Sequence, residues 1–177
     1  MNEEEYHKTY NVVNNQRCIF EKMVLLRYGS CEHCEKLFLA EREAMACQSA
    51  PAQKNCLSLL NTMRKNARFV LQMSSADSPL PHTKEIKVQA GGLYALQQYL
   101  ENKETAQIEN LIDDKTKFND NHSQPIKNIF ATVSKAVEQF KAIKNFPYDE
   151  IVKAINLFTL PTRKSKRKKR SNHSNNE

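Results

Sequence analysis

Apolar residues recur at intervals of three and four through most of the chain, the spacing that places them on one face of a helix. Ile19, Phe20, Met23 and Leu26 predict a helix over about Gln16–Arg27, stopped at Gly29. Leu37, Phe38 and Met45 fit a second over about His33–Ala46. Ser49 as cap and Pro51 in the first turn open a long third helix reaching about Met73. Its inner stripe is Cys56, Leu60, Met63, Ala67, Val70 and Leu71; its outer side carries Lys54, Arg64, Lys65 and Arg68. That outer stripe reads first as a solvated face and second as a surface for phosphate.

Pro79 and Pro81 make Ser74–Pro81 a loop, since each disfavours helix at the residue before it. Glu85-Ile86-Lys87-Val88-Gln89 alternates polar and apolar and is the single strand the pattern offers. One short strand cannot form a sheet alone. Gly91-Gly92 reads as a turn before a helix from about Leu93 to Leu111, and Asp113–Ser123 as a loop. Pro125, capped by Ser123, opens a helix with the stripe Ile126, Ile129, Phe130, Val133, Val137 and Phe140. Asn145–Pro147 breaks it. Pro147 then starts a last helix that turns Ile151, Ala154, Ile155 and Phe158 inward. The expected fold class is all-α: one domain of five to seven helices over residues 1–160, followed by a disordered basic tail over 161–177.

Charge separates these two parts. The 177 residues carry a net +7. Residues 161–177 hold Arg163, Lys164, Lys166, Arg167, Lys168, Lys169 and Arg170 against the single acid Glu177. The body is therefore almost neutral. A run of like charges among Ser and Asn buries no apolar area, so disorder is expected there, with attraction to nucleic acid or another polyanion. No aromatic side chain lies in the tail to stack on bases. No apolar run approaches the length of a membrane span. The acidic start Met1-Asn2-Glu3-Glu4-Glu5 does not read as a secretory leader, so a cytoplasmic setting is expected.

The candidate chemistry lies in the cysteines. Cys18, Cys31, Cys34, Cys47 and Cys56 fall within 39 residues and no other cysteine follows. An odd number in a chain read as cytoplasmic argues against a disulfide framework. A metal site suits them better, because a cation relieves the repulsion among gathered thiolates. Cys31-x2-Cys34 is the one pair from which a single turn supplies two ligands, and a zinc site usually has two such pairs. Singly spaced cysteines suit an iron–sulfur cluster, whose ligands stand further apart. The spacing favours Cys18, Cys31, Cys47 and Cys56 as ligands of an iron–sulfur cluster or zinc, with Cys34 spare or substituting for one. His33 is a candidate mixed ligand. The alternative is inert thiols in an apolar core.

The remaining signals are weak. His82 reads as a loop histidine, and Gly91-Gly92 lacks the rest of any phosphate-binding fingerprint. Cys47 with His82 or His122 has no local support as a catalytic pair, and Glu41 and Glu43 point to different helix faces. The sequence therefore points away from an enzyme. It points to a metal-binding helical protein with a regulatory or adaptor role, its tail drawn to polyanions and its body free for a protein partner. An electron-transfer or cluster-handling protein, or a metal-free helical scaffold, are the other readings.

Overall fold

A computed structural model describes residues 2–73, 80–101 and 125–160. In chain order these form α1 (Glu3–Val13), α2 (Glu21–Leu25), β1 (Cys34–Leu39), β2 (Arg42–Cys47), α3 (Ala50–Ala67) and α4 (His82–Ile86). A π-helical segment (Lys87–Gly91) joins α4 to α5 (Gly92–Glu101). Then follow α6 (Ile129–Phe140), a 3-10 turn (Ile143–Asn145) and α7 (Tyr148–Leu157). The expected tail, and the parts of the expected helix and loops within 74–79 and 102–124, lie outside the described residues.

The all-α expectation is overturned by β1 and β2, which pair antiparallel where a helix over His33–Ala46 was expected. Cys34 faces Cys47 at the open end, and Leu39 faces Arg42 next to the turn. Ala40, the first of two turn residues, has φ 55°, the sign the primed hairpin turns demand. Leu37, Leu39 and Ala44 share one face of the ribbon and form a small satellite core with Tyr6 and Tyr10 of α1. The same residues satisfy a helical spacing on paper. No glycine, proline or asparagine marks the turn, so periodicity alone could not choose.

The expected strand at Glu85–Gln89 is also corrected, since those residues are helical. Val88 to Leu96 are all buried, so α4, the π segment and α5 form a central rod whose middle is enclosed on every side. The alternating polar residues do not mark a solvent face. Glu85 is 3% exposed and is held by Arg64, with Nη2 to Oε1 at 2.6 Å and Nε to Oε2 at 3.1 Å. Gln89 also donates to Glu85 Oε1, at 2.7 Å.

Gly91 and Gly92 lie within this rod rather than at a turn. A Cβ on Gly91 would stand 2.9 Å from Phe158 Cβ and 3.1 Å from Ile155 Cα. One on Gly92 would collide with Met63. The pair lets the rod lie directly on α7 and α3.

The third helix matches its expectation at the start: Ser49 Oγ accepts from the Ala52 N–H at 3.3 Å. It ends at Ala67, short of Met73. Leu60, Met63, Ala67 and Leu71 are buried as expected, joined by Leu59. The fourth stripe keeps Ile129, Val133 and Phe140 on its helix, but α6 is capped by Asn128. Ile126 stands before it and bridges Gly29. Ile151, Ala154, Ile155 and Phe158 are all buried around α7. The first helix expectation shrinks to α2, because Arg17 is extended and bridges Ala46. A helix not expected from the pattern, α1, is capped reciprocally by Asn2 and Glu5.

Candidate metal centre

Three short backbone registers bring distant cysteines to one end of the hairpin. On one edge of β2, β1 places Cys34 opposite Cys47. On the other edge the Cys18 N–H donates to Met45 O at 2.8 Å, and the Cys47 N–H to Gln16 O at 2.7 Å. Cys18 is thereby carried beside the hairpin base. The chain before Cys31 is tied to the start of α6: the Ser30 N–H donates to Ile126 O at 2.9 Å, and the Ile129 N–H to Ser30 O at 2.8 Å. A tight turn follows, with the Cys34 N–H donating to Cys31 O at 3.1 Å. The α3 helix begins two residues after its cap-forming loop leaves Cys47, and its second turn carries Cys56.

All five thiols are free. Cys34 is the hub of the group. Its Sγ donates to Cys18 Sγ at 3.3 Å, and Cys31 stands one tight turn before it. The charges of Cys18 and Cys47 also act on it. Cys56 in turn feels Cys31, Cys47 and Cys34. The thiol bond to Cys18 and burial push the Cys34 thiol up to about 12. Burial, then the neighbouring thiols, push Cys56 up to about 12. Cys31 is raised further by its bond to Cys34 and by burial, although the main-chain N–H groups of His33 and Phe130 point at its sulfur and favour the thiolate. Thiols this crowded stay protonated at neutral pH unless a cation takes the place of the protons.

The sequence left Cys34 as spare or as a substitute for one ligand; in the structure it bonds Cys18 and faces Cys47. The His33 ring lies edge-on to Phe130, with centroids 4.3 Å apart. Cys47 Sγ stands 3.3 Å from Ser49 O, and His82 is exposed at the first turn of α4. Among the described residues, no three His, Cys, Asp or Glu side chains already stand in the grouping a bound ion imposes. The five soft sulfur donors come from four separate stretches of chain, with Cys18 buried and the other four half-buried.

The basic residues Arg163, Lys164, Lys166, Arg167, Lys168, Lys169 and Arg170 lie outside the described residues. No helix among the described residues is long and apolar enough to cross a membrane. Comparison of the chain with protein-family models, with curated proteins and with solved structures finds no match.

Proposed function

We propose that the protein is a non-enzymatic regulatory or adaptor module whose N-terminal quarter is pinned by one thiolate-bound zinc ion. The observation that carries this reading is the hub at Cys34, bonded to Cys18, facing Cys47 across the hairpin and one tight turn after Cys31. Sulfurs about 2.3 Å from a tetrahedral ion stand about 3.8 Å from one another. A 3.3 Å thiol pair is near that edge length and much closer than the ligands of an iron–sulfur cluster, so a single ion suits the group better. The ligand set is Cys18, Cys31, Cys34 and Cys47, with Cys56 beside it. The physical need is clear: a two-stranded hairpin is marginal in water, and a metal cross-link at its open end would tie it to the segment before α2 and to the loop at Cys31. Such free thiols suit a reducing compartment such as the cytoplasm.

The test is metal analysis of protein purified without oxygen. About one zinc per chain and no visible absorption is the expected result. Iron with a coloured, reversibly reducible centre would replace this reading with electron transfer or cluster handling. A colourless, metal-free protein would leave a helical scaffold with buried thiols.

The tail supports a second element of the proposal, salt-dependent attraction to nucleic acid through residues 163–170. Seven basic side chains on duplex DNA give a slope of log K against log salt approaching about −6. Equal binding with and without residues 161–177 at two salt concentrations would remove that element.

A further inference from the structure

Beside the thiol cluster, a cavity of about 570 Å³ opens between the loop before α2, the second half of α3 and the α4 end of the central rod. Its wall is strongly cationic: Arg17, Lys22, Arg64, Lys65 and Arg68 face only two carboxylates, Glu21 and Glu85. Both carboxylates are already engaged. Glu85 is held by Arg64 and Gln89. Glu21 accepts from the Tyr10 hydroxyl at 2.7 Å and from the Met45 N–H at 2.8 Å. Arg17 leans on Tyr10. Among the described residues, Lys22, Lys65 and Arg68 have no acidic partner. The Nε of Arg68 is buried and makes no hydrogen bond, a costly state that leaves Arg68 the least satisfied cation of the wall.

We propose that this cavity binds a phosphate group carried on an organic body of nucleotide size. Arg68 and Lys65 clamp the phosphate, since a guanidinium and an ammonium are the side chains that recognise it. Leu57, Leu60 and Leu80 line the remaining wall and receive the body by apolar contact. The volume lies within the range of small-molecule sites. The helical spacing of Arg64, Lys65 and Arg68, which reads from sequence as a solvated face, is thus turned into a wall, while Lys54 on the same helix stands outside it. The inference does not need the metal, although Cys18 touches both places.

The experiment is titration calorimetry on the full chain with adenosine 5′-monophosphate, adenosine, and a short oligonucleotide with and without a 5′-phosphate. Saturable binding is expected for the phosphorylated ligands and not for their unphosphorylated counterparts. If only the phosphorylated oligonucleotide binds, the phosphate belongs to a nucleic-acid end; if adenosine 5′-monophosphate binds as well, to a free nucleotide. Arg68→Ala and Lys65→Ala should each weaken binding about tenfold or more, while Lys54→Ala, equal in charge change, should leave it unaltered. Lys65 is exposed, so its variant folds even should the Arg68 variant fail. Equal binding of adenosine and its monophosphate, no binding of any phosphorylated ligand, or equal loss in the Lys54 and Lys65 variants would overturn the proposal. Zinc content is read separately, so failure here leaves the metal reading untouched.

Discussion

Cys34 and Cys56 differ in a way that single substitutions can read. Cys34 bonds one thiol and faces another across the hairpin, whereas Cys56 only borders the group from α3. Cys34→Ser should therefore release nearly all bound zinc, and Cys56→Ser should keep about one ion per chain, as measured by mass spectrometry of the metal. Equal loss in both would put Cys56 in the ligand set. The same thiols set an alkaline limit on the metal-free protein. Their folded values near 12 lie above the ordinary thiol value near 9. The folded state then holds protons that the unfolded chain gives up, so stability falls as pH climbs from about 9 toward 12. The thermal midpoint of the metal-free protein should drop over that window. The zinc-bound form, its ligand thiols already deprotonated, should show a smaller drop.

At the scale of elements, the central rod is fixed by contacts that no pattern of polar and apolar residues announces. Gly91→Ala would force a methyl group against the Phe158 side chain and the Ile155 backbone. The latter cannot move without shifting α7. The expected cost is about 1–3 kcal/mol, read as a lower denaturant midpoint with the slope unchanged. The same glycine pair reads from sequence as a turn, because local rules know nothing of a helix arriving from 65 residues further on. The hairpin was hidden for a related reason. Leu37, Phe38 and Met45 suit a period of 3.6 as readily as alternation, and what decides is Leu37, Leu39 and Ala44 finding Tyr6 and Tyr10. The Asn2-x-x-Glu5 cap of α1 is a local signature that the apolar spacing alone passes over.

For the whole molecule, the division of cores suggests where stability resides. The main core joins α2, α3, the central rod, α6 and α7 and reaches the hairpin at Met45 and the half-buried Cys34, while the rest of the hairpin shares a small satellite cluster with α1. Removal of zinc by a chelator should therefore expose the amides of β1 and β2 to hydrogen exchange within a short labelling time. The amides of α5 and α7 should stay protected. Uniform loss of protection across both regions would mean that the ion holds the entire fold. Much of the helical body was determined by sequence alone: the Ser49 cap, the buried faces of α3 and α7 and the break at Pro147 are local features, fixed by side chains within a few turns of each other. The spacing of the five cysteines marked them as one group to examine. Only the tertiary structure decided which thiols pair, that residues 34–47 are a ribbon, and that a basic helix face lines a cavity. Each of these depends on what a distant segment brings against the residue, and the energy of such contacts leaves no mark on the spacing along the chain.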